Sequence, residues 1–337
     1  YFTVQARGNV HLFQLPTSGG SPRMTVIDRG RVGAWSVADN GAIAYTFTAP
    51  SGPTELYMRH DGSSEPLTSL NAELLAERVT AEVEAFTFSS FDGRPIEAFL
   101  TKPVDLDSAN RHPLVVTIHG GPHGQQGAAF NLTAQVYAGL GWATLMVNYR
   151  GSTGYGQELT DAIFMDQNGG EAKDVMAGVD AALDRYRWLD GDRLVIEGGS
   201  YGGQLTNWII TQTERFRAAI PRASISNLIS FNYMAYYHDY LAVEFGAYPH
   251  ENGIIDLLWE RSPIRYAHSV TTPTMLVHGE NDNDVPIAEA EQFYIALKDV
   301  GVEVVMVRYP REGHGIREAA HQVDLLERSI AWYERHF

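Results

Sequence analysis

One serine in this chain stands in the pattern of an enzyme nucleophile. Ser200 lies in the segment GGSYGG (198–203), which follows the apolar run Arg193–Glu197 and precedes a helical pattern containing Leu205 and Ile209. A Gly-x-Ser-x-Gly sequence between a strand and a helix is typical of the nucleophile elbow, a strained turn that exposes the serine hydroxyl. The helix N-terminus places a positive dipole end beside the developing negative charge. We therefore predict that Ser200 is a nucleophile in acyl transfer, rather than an incidental serine in a glycine-rich turn.

A serine nucleophile needs a base that takes its proton and an acid that orients the base. In an α/β-hydrolase these residues follow in the order Ser, Asp, His. His314 lies between two glycines after the last apolar run, and we predict that it is the general base. Asp282 follows the strand-like run Thr274–His278 and is the predicted acid, with Asp284 as the second choice. The alternative for either carboxylate is a solvated turn residue, and His278 itself is expected to make a structural hydrogen bond.

The oxyanion of an acyl-transfer reaction is expected to accept hydrogen bonds from two backbone N–H groups. One belongs to Tyr201, the residue after the predicted nucleophile. The other is expected from the loop HGGPHG (119–124), where two glycines before a proline allow a backbone amide to turn into the site. We assign this second donor to Gly121, with Gly120 as the alternative.

No metal ion, nucleotide or other cofactor is predicted. His119 and His123 are four residues apart, but the intervening Gly-Gly-Pro cannot be helical, so the two imidazoles would not share a helix face. Residues 282–284 lack the glycine and the closing glutamate of a calcium loop. The glycine-rich segment 151–156 lacks both the lysine of a phosphate loop and the dinucleotide spacing, and we interpret it as a loop at the rim of the site.

Alternating strands and helices are predicted from about residue 83 onwards. Continuous apolar runs between helical stretches indicate an α/β fold, with a parallel sheet covered on both faces. An aromatic-rich insertion at residues 225–270 interrupts the alternation. The predicted strands are Ala85–Ser90, Pro95–Thr101, Leu114–His119, Ala143–Asn148, Arg193–Glu197, Ala218–Pro221, Thr274–His278 and Val302–Tyr309, and the predicted helices include Ala172–Tyr186, Gln204–Thr213, Ala288–Val300 and Ala320–His336.

The first 80 residues have a different pattern, that of antiparallel β-structure. Short β-branched or aromatic runs are separated by turn sequences such as Asp39-Asn40-Gly41. Two loosely similar phrases about 45 residues apart have the spacing of one propeller blade per repeat. Two blades cannot bury their faces alone, so we expect further blades outside this chain. The predicted strands are Tyr1–Val4, Val10–Leu15, Ala42–Phe47 and Glu55–Arg59.

The composition argues against several kinds of binding partner and metal site. The 337 residues have a net charge of -16, which argues against binding to nucleic acid and to anionic membrane surfaces. The chain contains no cysteine, which excludes disulfides and thiolate metal sites and fits a reducing cytoplasm. No apolar run approaches the roughly 18 residues that span a bilayer. Because Tyr1 stands within strand-like sequence, we interpret the chain as part of a longer protein, and a cytoplasmic location is expected.

Five segments together resemble motifs of the prolyl oligopeptidase family of serine peptidases. They are HGGPHG (119–124), NYRGSTGYG (148–156), GGSYGG (198–203), HGENDNDVP (278–286) and YPREGHG (309–315). The chain is most similar to acylaminoacyl-peptidase and dipeptidyl-peptidase-like bacterial members. The resemblance covers essentially the whole chain, and it implies an α/β-hydrolase domain at residues 83–337 preceded by the last blades of a β-propeller at residues 1–82.

This resemblance implies a triad of Ser200, Asp282 and His314, with oxyanion donors at Tyr201 and Gly121. Family members cleave short peptides because the propeller excludes folded proteins. The implied partners are therefore short peptide substrates and the remaining N-terminal propeller segment of the same protein. A homo-oligomer is also expected, because family members often assemble.

The resemblance leaves the substrate class open. We favour an acylaminoacyl-peptidase-like exopeptidase or oligopeptidase. The alternatives are dipeptidyl-peptidase or carboxypeptidase-type specificity on the same scaffold, and then a carboxylesterase. A catalytically inactive binding module would need a broken triad, and all three positions carry the required residue types.

Two arginines and several aromatic residues are candidates for substrate binding. Arg222 and Arg150 are predicted to bind a substrate carbonyl or carboxylate, although a surface or strand-end role explains each equally well. In relatives the first arginine stands one residue later, at the position of Ala223. Aromatic residues of the insertion are predicted to line an apolar pocket for the residue before the cut, with core packing as the alternative. They are Tyr233 and Tyr236, together with Phe231 and Tyr237.

Overall fold

Two β-sheets organise this protein. The computed structural model describes residues 1–251 and 253–337, with seven strands in the first sheet and eight in the second. The first sheet consists of β1 (Phe2–Ala6), β2 (Asn9–Gln14), β3 (Arg23–Val26), β4 (Arg31–Val37), β5 (Ile43–Ala49), β6 (Gly52–His60) and β7 (Ser63–Pro66), and a short helix, α1 (Ala72–Ala76), follows it.

The first sheet is built from two antiparallel units. Strands β4 to β7 form a meander, β1 and β3 both pair with β2, and a single parallel pair, Val10 with Arg31, joins the two units. Strands β3, β4 and β7 have no counterpart among the predicted strands. The reason is visible in β7, whose sequence Ser-Ser-Glu-Pro is exposed throughout and has no apolar periodicity. Its pairing with β6 is the interaction that makes it a strand.

The second sheet has the strand arrangement predicted for residues 83 onwards. The strands are β8 (Val83–Ser89), β9 (Pro95–Thr101), β10 (His112–Ile118), β11 (Ala143–Asn148), β12 (Leu189–Gly199), β13 (Ala218–Arg222), β14 (Thr274–Gly279) and β15 (Val304–Tyr309). Their order in the sheet is β15-β14-β13-β12-β10-β11-β9-β8; β8 and β9 are antiparallel, and β10 to β15 are parallel to one another. The α/β class is therefore confirmed.

Helices cover both faces of the second sheet. The helices are α2 (Leu132–Gly139), α3 (Gln157–Asp161), α4 (Gly170–Arg185), α5 (Tyr201–Gln212), α6 (Leu228–Met234), α7 (Tyr240–Phe245), α8 (Ile254–Glu260), α9 (Ala288–Asp299) and α10 (Ala319–His336), with a 3₁₀ helix at Pro263–Ser269. Alternate residues of the central strands point to opposite faces: Ile196 joins the cluster under α4, α5 and α9, whereas Val195 joins the cluster under α2 and α10. Within the described residues, no helix combines the length and the apolar character needed to span a membrane.

The insertion predicted at residues 225–270 folds into the three short helices α6 to α8 and the 3₁₀ helix, and it has an apolar cluster of its own. Leu228, Phe231 and Phe245 are buried there, and Val285, from the loop after β14, belongs to the same cluster. Through this shared core the insertion packs directly on the loop that carries the predicted acid.

The two sheets meet at the turn between β1 and β2. Arg7 forms an ion pair with Glu97 at 2.8 Å, and the side chain of Gln125 bonds to the Gly8 amide at 3.0 Å and to the Asn9 carbonyl at 2.8 Å. A Cβ at Gly127 would lie 2.7 Å from the Cα of Gly8, so the two chain segments touch backbone to backbone. The first sheet therefore contacts the loop that continues from the predicted oxyanion segment.

Arg150 follows β11 and is held in a buried ion pair rather than pointing to solvent. Its Nε donates to Asp174 Oδ2 and its Nη2 to Asp174 Oδ1, both at 2.8 Å, and a second contact reaches Asp92 at 3.1 Å. The Arg150 side chain is 8% exposed and that of Asp174 is fully buried. This pair ties the end of β11 to α4, which is a structural role.

We expect Arg150→Met to lower the free energy of unfolding by about 3–5 kcal/mol, because it leaves the Asp174 carboxylate buried without its cation. The measurement is denaturant unfolding. The matched control is Arg328→Met, which breaks an exposed pair with Asp324 and is expected to cost at most about 1 kcal/mol. Equal effects of the two substitutions would contradict the structural role.

Candidate active site

Ser200 occupies the junction between β12 and α5 in a rarely populated backbone conformation. Its φ is 60° and its ψ is -124°, and its amide donates a hydrogen bond to the Arg222 carbonyl at 2.9 Å. A non-glycine residue in such a region costs on the order of 1–3 kcal/mol, and it persists only where the surroundings hold it. The predicted elbow is therefore present as a strand, a strained serine and a helix.

The glycines around Ser200 permit three backbone segments to touch. A Cβ at Gly198 would lie 2.3 Å from the Gly202 carbonyl oxygen, and a Cβ at Gly202 would lie 2.2 Å from the Ile118 carbonyl oxygen. A Cβ at Gly203 would lie 2.6 Å from the Arg222 carbonyl oxygen. Since these contacts involve backbone atoms, a side chain could be accommodated only by moving a strand or the helix.

Asp282 and His314, on the loops after β14 and β15, are brought together. His314 Nδ1 lies 2.9 Å from Asp282 Oδ2. The other oxygen, Oδ1, accepts from the amides of Asp284 at 3.0 Å and Val285 at 2.9 Å. Because its partner is a carboxylate, Nδ1 of His314 carries the proton, and Nε2 is left to accept one from a serine. Asp282, rather than Asp284, is thus the carboxylate that contacts His314.

Opposing effects act on the pKa of Asp282 and of His314. Burial raises the pKa of Asp282, but hydrogen bonds from His278, His314 and the Val285 amide outweigh it, and the pKa lies well below its usual range. The hydrogen bond to Asp282 raises the pKa of His314 above its ordinary value, although burial lowers it. The charged carboxylate therefore stabilises the imidazolium that forms when His314 takes a proton.

His278 is a fully buried second histidine on the same carboxylate. Its Nε2 lies 2.8 Å from the Val285 carbonyl oxygen and 3.3 Å from Asp282 Oδ2. This is the structural hydrogen bond expected for His278, and it holds the loop that carries Asp282.

The loop 119–124 reaches Ser200 through its glycines. A Cβ at Gly120 would lie 2.8 Å from the Gly199 carbonyl oxygen and 3.0 Å from Ser200 Cβ. Gly121 has a φ of 131° and lines a cavity together with Ser200 and Tyr201. Both glycines of the loop are therefore adjacent to the serine, and it is Gly121 that faces the cavity shared with Tyr201.

A buried glutamate that sequence reasoning missed anchors Tyr201. Glu171, at the start of α4, accepts a hydrogen bond from the Tyr201 hydroxyl at 2.7 Å. Burial raises the pKa of Glu171 to about 7, against hydrogen bonds from Tyr201 and from backbone amides that lower it. In the sequence, Glu171 could be recognised only as an acidic residue near the start of a helix. Such residues are common because a negative charge interacts favourably with the helix dipole, so this one did not indicate a contact with Tyr201.

Two cavities open on either side of Ser200 and His314. The smaller, of about 240 Å³, also contains Gly121 and Tyr201 and has an apolar wall of Ile225, Phe231, Tyr237, Tyr240 and Val285, with Asp284 beside it. The larger, of about 540 Å³, is lined by Gly120, Leu132, Thr133, Tyr137, Gly199, Arg222, Ala223, Gly315, Ile316, Gln322, Leu325, Leu326 and Ser329. A group bound at the serine can thus extend in two directions.

The aromatic candidates of the insertion divide into two pairs. Phe231 and Tyr237 line the smaller cavity. Tyr233 and Tyr236 are 58% and 73% exposed and are not part of either cavity wall. Tyr240, a half-buried residue at the start of α7, completes the wall. Sequence reasoning missed it because nothing in the sequence distinguishes it from the neighbouring tyrosines.

The two arginine candidates also separate. Arg222 lines the larger cavity beside Ser200 and contacts the buried Glu197 at 3.5 Å. Arg150 lines neither cavity at Ser200 and is held by Asp174.

Groups with the composition of metal ligands occur at two places among the described residues. Asp282, Asp284 and His314 form one group, and the hydrogen bond between Asp282 and His314 already uses a ligand atom of each. The second group, Glu312 with Glu318 and His321, is held by an ion pair and by backbone amides. His119 and His123 bond separately, to Ser152 at 2.9 Å and to Glu244 at 3.1 Å, so they do not converge on one ion.

We expect Gly202→Ala to lower the free energy of unfolding by about 1–3 kcal/mol, because the new methyl group overlaps the Ile118 carbonyl. A displacement of the serine by about 1 Å would also lower kcat/KM by about a hundredfold. The control is Gly199→Ala, where an added Cβ meets no atom within 4 Å; its effect on unfolding is expected to stay within about 0.5 kcal/mol. Equal destabilisation of the two variants would show that the close contact does not matter.

Comparison with known proteins agrees with this geometry. Residues 128–337 match the prolyl oligopeptidase family. The chain is 38% identical over 296 residues to an uncharacterized peptidase, YuxL, of Bacillus subtilis, and this alignment covers 86% of the chain and 44% of that protein. It is 29% identical over 358 residues to the acylamino-acid-releasing enzyme of Rattus norvegicus, with 99% of the chain and 48% of that enzyme covered.

Solved structures of similar proteins support the same family assignment. The acylaminoacyl peptidase of Pyrococcus horikoshii superposes with a TM-score of 0.93 at 28% identity, covering 100% of this chain and 54% of that one. A puromycin-hydrolyzing peptidase of Mycobacterium tuberculosis superposes with a TM-score of 0.85 at 27% identity, covering 99% of this chain and 53% of that one. The chain spans about half the length of the relatives it matches. With the family match, the superposition and the arrangement around Ser200 in agreement, this chain belongs to the prolyl oligopeptidase family.

Proposed function

We propose that the protein is a serine peptidase of the acylaminoacyl-peptidase type, which hydrolyses short peptides by acyl transfer at Ser200. The observation that carries this proposal is the 2.9 Å contact between His314 Nδ1 and Asp282 Oδ2. His314 lines two cavities together with Ser200, whose backbone is held at a positive φ. The Pyrococcus relative is named an acylaminoacyl peptidase and the rat relative an acylamino-acid-releasing enzyme, which supports this activity.

The proposed reaction proceeds in two halves. Ser200 Oγ attacks the scissile carbonyl while Nε2 of His314 takes the hydroxyl proton, and the amides of Tyr201 and Gly121 donate to the oxyanion. Asp282 keeps the imidazole in the required tautomer and stabilises its positive charge. His314 then passes the proton to the leaving amine, and a water molecule, deprotonated by the same imidazole, releases the acyl group from Ser200.

The smaller cavity is the proposed binding site for the residue before the cut. Its wall of Ile225, Phe231, Tyr237 and Tyr240 supports a preference for an apolar side chain. The exposed Tyr233 and Tyr236 would contact a substrate only outside this cavity.

The remaining proposals concern the whole protein. We assign residues 1–82 to the end of a β-propeller and residues 83–337 to the catalytic α/β-hydrolase domain. Support comes from the antiparallel units of the first sheet and from apolar side chains that it exposes, among them Met24 and Ile27, at 62% and 58%. The rest of the propeller and further copies of the protein are the proposed partners. The absence of cysteine supports a cytoplasmic location.

We expect Ser200→Ala to lower kcat for an acetyl-alanyl anilide by about a millionfold, because the covalent route is lost. A fluorophosphonate probe should label the unaltered protein and leave this variant unlabelled. Ser21→Ala, in an exposed turn, is the control and should keep both activity and labelling. Labelling of Ser200→Ala at the original rate would exclude Ser200 as the nucleophile.

The pH dependence tests the pairing of His314 with Asp282. Activity requires a neutral imidazole, and Asp282 raises the pKa of His314, so kcat/KM should fall as the pH drops through a value above about 6.5. Asp282→Asn removes the negative charge, which should move this acid limb to lower pH and reduce kcat by about ten-thousandfold. The measurement is a pH–rate profile, with Asp284→Asn as the comparison. A larger loss of kcat in Asp284→Asn than in Asp282→Asn would reverse the assignment of the acid.

A further inference from the structure

The larger cavity beside Ser200 differs in charge from the rest of the protein. The chain has a net charge of -16, yet no aspartate or glutamate is found among the described residues that line this cavity. Among the described residues of its wall, Arg222 is the one side chain that is charged at neutral pH whatever the protonation state of His314. Arg222 therefore places a positive charge at the surface of this cavity, with its counter-ion Glu197 buried behind it.

Arg222 is positioned from two directions. Its backbone carbonyl accepts the Ser200 amide at 2.9 Å, so the residue is attached directly to the nucleophile. Its guanidinium contacts Glu197, whose side chain is 2% exposed. Glu197 in turn accepts hydrogen bonds from the hydroxyls of Tyr137 at 3.1 Å and Tyr333 at 3.0 Å, so its position is fixed within the core.

The guanidinium of Arg222 retains donors for a ligand. Within the described chain, its one recorded hydrogen bond is the 3.5 Å contact from Nη2 to Glu197 Oε1, and its side chain is 28% exposed. A guanidinium carries a planar fork of N–H groups that matches a carboxylate. Arg222 therefore has both a fixed place and unused donors that can face the cavity.

The chemistry at Ser200 identifies which part of a substrate enters this cavity. Tyr201 and Gly121, the proposed oxyanion donors, line the smaller cavity, which is the proposed site of the residue before the cut. His314 lines both cavities, and it must reach the leaving amine. The leaving group accordingly extends into the larger cavity, towards Arg222.

The charged side chains that line the two cavities also differ in sign. Asp284 lies at the smaller cavity, and Arg222 lies at the larger one. A negatively charged group would be repelled from the acyl side and attracted to the leaving-group side. This difference fixes the direction in which a short peptide with a free carboxylate can bind.

We propose that Arg222 binds the free α-carboxylate of a short leaving group, so that the enzyme favours substrates that release a single amino acid or a dipeptide. This inference rests on the proposed serine-peptidase function. Acylation of Ser200 breaks the peptide bond, His314 protonates the departing amine, and the carboxylate itself is unchanged. Arg222 is thus a specificity-determining residue for the length and the charge of the leaving group.

The test compares matched substrates on the complete protein. N-acetyl-alanyl-alanine and N-acetyl-alanyl-alanyl-alanine are each assayed as the free acid and as the C-terminal amide. An N-acetyl-alanyl-aspartic acid amide reports whether a side-chain carboxylate can replace the α-carboxylate. We expect kcat/KM of the better acid to exceed that of its amide by about tenfold to a hundredfold, mainly through KM. An Asp-amide as good as the acids would assign Arg222 to the side chain and overturn the α-carboxylate proposal.

Variants assign the preference to Arg222. Arg222→Gln should remove the difference between acid and amide; the readout is the ratio of the two kcat/KM values in the same variant, so that a general change in activity cancels. Arg222→Lys, which keeps the charge and loses the fork, should retain part of the difference. Arg328→Gln, on the exposed face of α10, is the control and should leave the ratio unchanged. An unaltered ratio in Arg222→Gln would overturn the proposal.

A measurement on the unaltered protein covers the case in which Arg222→Gln does not fold. Alanyl-alanine, a product of the proposed reaction, should inhibit anilide hydrolysis about tenfold more strongly than alanyl-alanine amide. Equal inhibition by the two compounds would refute carboxylate binding. Absence of anilide hydrolysis by the unaltered protein would instead refute the serine-peptidase function itself, so the two failures are distinguishable.

Discussion

The backbone of Ser200 is the constraint on which the rest of this structure depends. A φ of 60° is unfavourable for serine, and it is kept because three segments press on the turn without intervening side chains. Gly198, Gly202 and Gly203 allow those segments to meet at backbone distance. In a nucleophile elbow such a turn exposes the serine hydroxyl, and the N–H group of the next residue can donate to an oxyanion. Packing energy from the surrounding sheet and helices compensates for the local cost.

Two carboxylates near this turn are buried, and each is held there by hydrogen bonds and by a basic side chain. Asp282 remains ionised in a buried position because two histidines and two amides surround it. Glu197 is buried below the turn with two tyrosine hydroxyls and Arg222. Both carboxylates therefore contact a basic side chain at the cavity surface, His314 in one case and Arg222 in the other. The contact with a fixed, buried carboxylate restricts the motion of His314 and of Arg222, the side chains that a substrate would meet.

The reactive residues could be predicted from the sequence because each directly follows a parallel strand. Apolar runs located β12, β14 and β15 to within a few residues, and the carboxyl ends of parallel strands meet at one edge of a sheet. The prediction that Ser200, Asp282 and His314 act together thus needed only strand order and chain order. The first sheet was less predictable: β3, β4 and β7 have weak periodicity, and their pairing with neighbours makes them strands.

Only the tertiary structure decided what surrounds the serine. Arg150 and Arg222 have the same sequence signal, a strand-end arginine, but Asp174 engages one and a cavity receives the other. Tyr233 and Tyr240 belong to one aromatic insertion, yet one is exposed and the other lines the smaller cavity. The sequence by itself determined which residues could carry the proposed chemistry, because strand ends position them through local order. Substrate contacts depend on burial and on partners far apart in the chain, and these follow only from how helices and loops pack.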